Sequence, residues 1–208
     1  MKIVLASGNA NKYKEMKEAL APAGIELVFG KELIPELDVE ETGSTYAENS
    51  LLKAKAWAEA TGMAALADDS GLEVEALDGL PGINSARIVS GSDADRTDWL
   101  LGELKGRENR NARFVACLTV VFTGSAQPLS VTGYCGGKIA EETRGDSGFG
   151  YDPVFIPDGY DKSFAELGAG IKEKISHRAK ALAALRQLFM RFNRTETRSG
   201  VQIFRAGK

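Results

Sequence analysis

The chain has 208 residues, of which 43% are hydrophobic, and carries a formal net charge of −3. This length and apolar fraction favour a folded protein with a sizeable core and exclude a wholly disordered chain. The mildly acidic balance argues against a protein that binds duplex nucleic acid, because such proteins usually carry a basic excess. A small anionic ligand is compatible with it, since clustered lysine and arginine side chains make a positive site on an acidic protein.

The first residues enter an apolar strand directly, without the charged and apolar regions of a signal peptide. No apolar run approaches the roughly 20 residues that a membrane-spanning helix needs. The two cysteines, Cys117 and Cys135, lack metal-ligand spacing and are too few for a disulfide framework. We therefore predict a cytoplasmic enzyme with no membrane or nucleic-acid partner, in which a hairpin brings two free thiols close together.

Apolar periodicity predicts an alternation of strands and helices in the first half of the chain, followed by a hairpin. Strands are predicted at Lys2–Ala6, Ile25–Phe29, Met63–Ala67, Leu72–Leu77, Ala112–Phe122, Leu129–Cys135 and Pro153–Ile156. Helices are predicted at Asn11–Ala21, from Thr45 to about Ala60, from Asp95 to Leu104 and from Ser176 to about Phe192. This order indicates an α/β fold in which helices flank a mixed β-sheet. We expect one domain over 1–192 and a flexible C-terminal tail over 193–208.

Two polar segments follow predicted strands and indicate a phosphorylated ligand with its metal. In Ser7–Lys12, Gly8 permits a close approach to the backbone, and the free N–H groups of the next helix attract phosphate. In Ala67–Gly71, two adjacent carboxylates after a buried strand require a nearby positive charge. Because successive strand residues face opposite sides, Asp68 and Asp69 are expected to have different roles before the chain turns. Each segment alone is also compatible with a capped turn.

Three further segments add candidate ligand contacts. Glu40 and Glu41 supply the hard oxygen ligands that magnesium prefers, although a solvated acidic loop has the same composition. Phe149–Asp152 combines rings that stack on a flat base with a carboxylate that binds its edge. His177 is the only histidine and opens a helix, where a neutral ring is expected. Arg178 beside it is able to donate two hydrogen bonds at once to a phosphate or a carbonyl group.

Seven short segments occur in a fixed order: SGNxxK at 7–12, EETGxT at 40–45, EN at 48–49, ADDSGL at 67–72, PGxxSAR at 81–87, GFGYDP at 148–153 and ISHR at 175–178. Together they resemble the inosine/xanthosine triphosphate pyrophosphatases, over residues 1 to about 190. The resemblance implies an elongated, two-lobed α/β fold with the active-site cleft between the lobes, a homodimer and Mg²⁺ dependence. The implied reaction converts ITP, dITP or XTP to the nucleoside monophosphate and pyrophosphate, and removes deaminated purines from the nucleotide pool.

The resemblance also implies roles for individual residues. Asp69 is the expected general base and a metal ligand, with Glu40 as the second metal ligand and Glu41 as the alternative. The residues expected to bind the substrate are Ser7, Gly8, Asn9, Ala10, Asn11, Lys12, Lys53, Ser70, Phe149, Gly150, Tyr151, Asp152, Lys172, His177 and Arg178. A buried donor at purine position 6 would bind the carbonyl of ITP and reject the amino group of ATP, a difference of about 1–3 kcal/mol.

Two other functions stay open on the sequence alone. A pyrophosphatase of similar fold could prefer pyrimidine triphosphates, although Phe149–Asp152 and Ser176–Arg178 argue against it. A nucleotide sensor without catalytic activity is the second alternative, although Asp69, Glu40 and Lys12 argue against it. Rejection of GTP must depend on its 2-amino group, and the sequence identifies no residue that would contact that group.

Overall fold

The structure is a computed structural model that describes residues 1–124 and 127–199, with side chains described as far as residue 190 in the last helix. The strands are β1 Lys2–Leu5, β2 Glu26–Phe29, β3 Ala65–Val74, β4 Pro81–Gly82, β5 Asn111–Val121, β6 Leu129–Ile139 and β7 Phe155–Pro157. The helices are α1 Ala10–Leu20, α2 Gly30–Leu33, α3 Tyr46–Thr61, α4 Asp93–Glu103, α5 Phe164–Leu167, α6 Ala169–Ile175 and α7 His177–Ser199.

The strands form one mixed sheet in the order β2-β1-β3-β5-β6-β7, with the short β4 paired to β3. Strand β1 runs parallel to β2 and β3, and the remaining pairs are antiparallel. Helices pack on the sheet, chiefly α3 against β3 and β5 and α7 against β5 and β6. The predicted mixed α/β fold is confirmed.

The polar segment after the predicted strand Met63–Ala67 is not a turn. Strand β3 continues through it, and Asp68, Asp69 and Ser70 pair in register with Leu118, Cys117 and Ala116 of β5. A Cβ atom on Gly71 would lie 2.1 Å from the carbonyl oxygen of Gly82, so a glycine here allows β4 to approach β3. The predicted chain reversal at Ser70-Gly71 is therefore wrong, because pairing with β5 overrides the local turn preference.

Strand β3 nevertheless brings its carboxylates beside the opening loop. The parallel pairing of β1 with β3 ends at Leu5 and Leu66, and the next backbone N–H, that of Ala6, donates to the Leu66 oxygen at 2.8 Å. Strand β3 then extends past the end of β1. The loop that begins at Ser7 is thus adjacent to the middle of a long strand, where a second strand end was expected.

Two apolar clusters occupy one face of the sheet, at the two ends of the long strands. One includes Leu66 and Leu118 under α1 and α7, and the other includes Leu72 and Phe114 under α4 and α5. Alternation along β3 directs Asp68 and Ser70 to this same face, between the clusters. The cleft expected between two lobes coincides with this gap.

A third cluster lies on the opposite face, where α3 covers the sheet. It includes Ala54, Trp57, Ala65 and Ala67. The next residue of β3 on this face is Asp69, so its side chain enters a region already covered by α3.

The long helices agree with their sequence signals. Thr45 and Glu48 form the predicted capping box at the start of α3, and Gly62 ends that helix in a left-handed conformation. Ser176 accepts a hydrogen bond from the Ala179 N–H at 3.1 Å and caps α7 as predicted. Helix α7 continues beyond Phe192 to Ser199, and residues 200–208 of the predicted tail lie outside the described residues. No helix in the described part of the chain is both long and apolar enough to cross a membrane.

Helix α7 rests directly on the backbone of β6. A Cβ atom on Gly133 would lie 2.1 Å from the carbonyl oxygen of His177 and 2.5 Å from the nitrogen of Ala181. The glycine therefore fixes the height of the first turns of α7 above the sheet.

Both cysteines are free and buried, as predicted, but the hairpin does not bring them together. Cys117 pairs with Thr132, whereas Cys135 pairs with Phe114. The two cysteines are thus displaced by three positions in the register and face opposite sides of the sheet.

Candidate active site

The loop between β1 and α1 is held by its own side chains. Asn9 caps α1, since its Oδ1 accepts from the backbone N–H groups of Asn11 and Lys12 at 2.9 and 3.1 Å. Ser7 Oγ accepts from the Asn9 N–H at 3.1 Å. Lys12 points from α1 to β3, where its Nζ lies 3.2 Å from Asp68 Oδ2. The loop thereby delivers one positive charge to the gap between the two cores.

Asp68 anchors a second cation. Arg178, from the first turn of α7, donates from Nε to Asp68 Oδ2 at 2.9 Å and from Nη2 to Ser70 Oγ at 3.2 Å. Burial acts to raise the pKa of Asp68, but Arg178 and Lys12 hold this pKa well below its usual value. Asp68 is therefore ionised, and it fixes the positions of both cations.

Glu15 links these cations to the aromatic loop. Its two carboxylate oxygens lie 2.7 Å from Arg178 Nη1 and 3.1 Å from Lys172 Nζ. Lys172 also contacts Asp152 Oδ2 at 2.6 Å, and that oxygen accepts from the Phe149 N–H at 2.9 Å. Sequence analysis did not identify Glu15, although its position one helical turn after Lys12 is a usable signal.

Aromatic rings lie beside this charged chain of contacts. Lys172 Nζ is 4.1 Å from the centroid of the Phe149 ring. The His177 ring stacks on Phe114, with a centroid distance of 4.6 Å and an interplanar angle of 13°. Burial, with the nearby charge of Arg178, lowers the pKa of His177 well below its usual value, so the ring is neutral as predicted.

Asp69 faces the other side of the sheet and has a different environment. Its Oδ1 accepts from Lys53 Nζ at 2.8 Å, while its Oδ2 is buried and has no hydrogen-bond partner among the described residues. Burial raises the pKa of Asp69 to about 6, although Lys53 opposes the shift. The two neighbouring aspartates thus separate by face, as the strand period predicts.

The acidic loop contributes Glu41, not Glu40, to this side. Glu41 is partly buried and contacts Lys53 Nζ at 2.5 Å, and its second oxygen pairs with Arg87. Glu40 is exposed to solvent. The sequence favours Glu40 as the second metal ligand with Glu41 as the alternative, and the contact of Glu41 with Lys53 supports the alternative.

A cavity of about 180 Å³ lies on the Asp68 side. The predicted residues that line it are Asn9, Lys12, Ser70, Phe149, Gly150, Tyr151, Asp152, Lys172, His177 and Arg178. Four predicted residues do not line the cavity: Ser7 and Gly8 belong to the adjacent loop, and Ala10 and Asn11 to the first turn of α1. Lys53 lies on the Asp69 side.

The cavity also has walls that sequence analysis missed. Asp93 and Arg96 of α4 line it, as does Ser85. The N–H of Gly150 donates to Asp93 Oδ2 at 2.6 Å, and Tyr151 Oη donates to the Ser85 carbonyl at 3.0 Å. Nothing in the motif pattern marks Arg96, which lies in an ordinary amphipathic helix.

The whole arrangement has two chemical parts. A cavity with aromatic and cationic walls is suited to a ligand that has a flat ring and negative charge. A buried carboxylate with a raised pKa and a free oxygen, one residue along the same strand, is suited to accepting a proton. The fold and the site therefore define an α/β enzyme that acts on a nucleotide.

Comparison with known proteins gives the family. The family model described as Ham1 family matches residues 3–188, and the chain belongs to this family. The dITP/XTP pyrophosphatase of Deinococcus deserti is 47% identical over 185 residues, which cover 88% of this chain and 86% of that protein. The dITP/XTP pyrophosphatase of Aquifex aeolicus is 45% identical over 196 residues, which cover 89% and 95% of the two chains.

Solved structures agree with this assignment. The Ham1 protein of Staphylococcus aureus superposes with a TM-score of 0.83 and 39% identity, covering 92% of this chain and all of the other. A nucleoside-triphosphatase, dITP/XTP pyrophosphatase, of Mycobacterium abscessus gives a TM-score of 0.71 and 41% identity over 89% of this chain and 97% of the other. The resemblance drawn from the seven sequence segments is thereby confirmed.

Proposed function

We propose that this protein hydrolyses ITP, dITP and XTP to the nucleoside monophosphate and pyrophosphate, and so removes deaminated purines from the nucleotide pool. The curated relatives that are named dITP/XTP pyrophosphatase support the substrate class. The observation that carries the proposal is Asp69, a buried carboxylate with a raised pKa and an unpartnered Oδ2, one residue from the aspartate that anchors the walls of the cavity.

In this proposal the purine base of the nucleotide lies in the aromatic part of the cavity. Phe149 supplies a ring for stacking, and Lys172 and Arg178 present N–H donors beside it. A carbonyl at purine position 6 accepts from these donors, whereas the 6-amino group of ATP would face them without an acceptor. An unmatched buried polar group costs about 1–3 kcal/mol, which is a roughly 5- to 150-fold preference for the carbonyl.

The triphosphate extends from the cavity toward Ser7–Lys12 and Lys53. Lys12 supplies a full charge, and backbone N–H groups at the start of α1 supply further donors. Lys53 is close to the reacting centre, because it already contacts both Asp69 and Glu41. Phosphoryl transfer depends mainly on such positioning and charge neutralisation.

The residues on the Asp69 side fit a divalent cation such as Mg²⁺. The carboxylates of Glu41 and Asp69 are hard oxygen donors, and the several lone pairs of a carboxylate leave one on Asp69 Oδ2 free for a proton. No cluster of three or more His, Cys, Asp or Glu side chains that could hold a metal exists in the described ranges, so phosphate oxygens and water complete the set. A bound Mg²⁺ would neutralise phosphate charge and lower the pKa of a bound water.

Asp69 is the general base of the proposed reaction. It accepts a proton from the water that attacks the α-phosphorus, and the bond between the α- and β-phosphates breaks to release pyrophosphate. Lys53 holds Oδ1 of this carboxylate, which leaves Oδ2 to receive the proton. A pKa of about 6 allows Asp69 to be ionised and still basic near neutral pH.

A substrate panel tests the proposal directly. The purified protein is incubated with Mg²⁺ and with ITP, dITP, XTP, ATP, GTP, UTP or CTP, and pyrophosphate and orthophosphate are measured separately. We expect pyrophosphate from the first three. Equal rates on ATP and GTP would refute the selectivity, and orthophosphate release would refute the bond assignment.

The same panel decides between the two alternatives. Faster hydrolysis of UTP or CTP identifies a pyrimidine-preferring pyrophosphatase, and tight ITP binding without product release identifies a sensor. The homodimer implied by the family resemblance and the cytoplasmic location predicted from the sequence stay part of the proposal. A monomer mass in light scattering at micromolar concentration would contradict the dimer.

A further inference from the structure

Arg96 is a cationic residue of the cavity wall that lies outside the seven family segments and was not among the predicted ligand contacts. Its side chain is 16% exposed. Nη1 donates to the Gly91 carbonyl at 2.9 Å, and Nη2 donates to Asp93 Oδ1 at 2.5 Å. A guanidinium group has five N–H donors, so three of them have no acceptor within the described part of the chain. Donors are therefore available on a side chain that lines the cavity.

Asp93 fixes Arg96 to the aromatic loop. One oxygen of Asp93 accepts from Arg96, and the other accepts from the Gly150 N–H at 2.6 Å. Burial acts to raise the pKa of Asp93, but the hydrogen bonds from Arg96 and Gly150 lower it, so the carboxylate is ionised. Both of its oxygens are already engaged by protein donors.

The cavity thus has two separate groups of cationic donors. Lys172 and Arg178 are held together by Glu15. Arg96 is held by Asp93 on α4, and none of its hydrogen bonds joins it to the first group. Among the purine bases considered, xanthine alone has carbonyl oxygens at both positions 6 and 2. Two donor groups match the two oxygens of xanthine, whereas hypoxanthine has a C–H group at position 2.

We propose that Arg96 binds the 2-carbonyl of xanthine and thereby determines selection at purine position 2. The inference rests on the proposed function and adds to it the residue that distinguishes XTP from GTP. The 2-amino group of guanine would face the N–H donors of Arg96 and find no partner. Each oxygen of Asp93 already accepts one hydrogen bond, from Arg96 and from Gly150, which orients this carboxylate toward those two donors. Hypoxanthine neither gains nor loses a hydrogen bond there.

Substitution of Arg96 tests this assignment. Arg96→Met removes the donors and frees Asp93 Oδ1. Arg96→Lys keeps the positive charge but lacks the planar set of N–H donors of a guanidinium group. Arg107→Met is the control, since Arg107 is an exposed arginine that follows α4, bonds backbone carbonyls and does not line the cavity. The measurements are kcat/KM for XTP, ITP and GTP, the Kd values of XMP, IMP and GMP by calorimetry, and the thermal midpoint of each variant.

For Arg96→Met we expect the ratio of XTP to ITP in kcat/KM to fall roughly tenfold, mainly through KM, and the ratio of GTP to ITP to rise. Arg96→Lys retains part of the XTP preference, and Arg107→Met matches the wild type. Unchanged ratios in a folded Arg96→Met variant overturn the inference. If the wild type hydrolyses neither ITP nor XTP, the proposed function fails, and the XMP to IMP ratio of Kd values still decides the role of Arg96.

Discussion

Asp68 and Asp69 are adjacent residues of the same type on one strand, yet their surroundings are opposite. Asp68 is held by Lys12 and Arg178, which keep its pKa low. Asp69 has one lysine on one oxygen and none of the described residues on the other, and burial raises its pKa to about 6. The pleat alone separates them, since consecutive side chains of a strand point to opposite faces.

The difference shows how one short sequence supplies both positioning and chemistry. Asp68 holds two cations on its Oδ2, and they lower its pKa, so it stays ionised near neutral pH although its Oδ1 has no partner among the described residues. Asp69 has a single lysine beside it and a raised pKa, so it is the carboxylate that is able to accept a proton. The same strand therefore connects the cavity with the proposed reacting centre over a distance of one residue.

The largest expected effect is the loss of activity in Asp69→Asn. An amide has nearly the same shape but does not act as a base, so kcat falls roughly 10²- to 10⁴-fold. Single-turnover release of pyrophosphate from ITP measures the loss, and circular dichroism confirms that the fold persists. Activity near that of the wild type would remove Asp69 from the base role.

Asp68→Asn is expected to act on stability as well. It leaves Lys12 without its carboxylate and Arg178 with Glu15 alone, and breaking a buried ion pair costs about 3–5 kcal/mol. Urea unfolding measures the free energy of unfolding. Asp69→Asn is the matched control and should lose much less, because Lys53 keeps Glu41 and the Asp68 carbonyl oxygen. Equal losses of unfolding free energy in the two variants would contradict the division of roles between Asp68 and Asp69.

The acidic loop offers a comparison on the Asp69 side. Glu41→Gln removes a proposed metal ligand, so the Mg²⁺ concentration for half-maximal activity should rise roughly tenfold or more. Binding of Mn²⁺ to the protein, followed by electron paramagnetic resonance, gives a readout apart from turnover. Glu40→Gln should match the wild type in both measurements. The reverse result would identify Glu40 as the metal ligand.

The smallest expected effect is the pH dependence of stability. The folded-state pKa of Asp69, about 6, lies above the unfolded value of about 3.9. Its contribution to the free energy of unfolding is therefore greatest at low pH and declines as pH rises from about 4 to about 6. Asp69→Asn does not titrate, so its free energy of unfolding should increase relative to the wild type across this window.

Asp68 has the opposite sign, since its folded-state pKa is lowered. Its stabilising contribution is complete above the unfolded value of about 3.9 and is lost as pH falls toward the folded-state pKa. Urea unfolding of the wild type and Asp69→Asn at several pH values between 4 and 7 measures the predicted difference. A constant difference across this range would contradict the raised pKa of Asp69.

The sequence predicts most long elements because their signals are local. The capping box of Thr45 and Glu48 and the N-cap at Ser176 appear in the structure as expected. The path of β3 was not predictable in this way, because Asp-Asp-Ser-Gly favours a turn and only its pairing with β5 makes it a strand. Gly71 illustrates the point, since its missing side chain serves close packing and not a reversal.

The site was predictable where motifs carry it and not elsewhere. The segments SGNxxK, GFGYDP and ISHR supply residues that meet at the cavity, although they are far apart in the chain. The choice between Glu40 and Glu41 depends on backbone direction in an irregular loop, which no periodicity specifies. Arg96 and Asp93 enter the cavity only through the tertiary position of α4.

Gly133 of the hairpin does not line the cavity, yet it controls the position of a residue that does. Any side chain at this position collides with the backbone at His177 and Ala181, so it displaces the turn that presents Arg178. A methyl group added there would move Arg178 relative to the cavity while every residue that lines the cavity keeps its identity. Inactivating variants of this protein are therefore expected at a sheet position outside the cavity wall, and their severity should increase with the size of the new side chain.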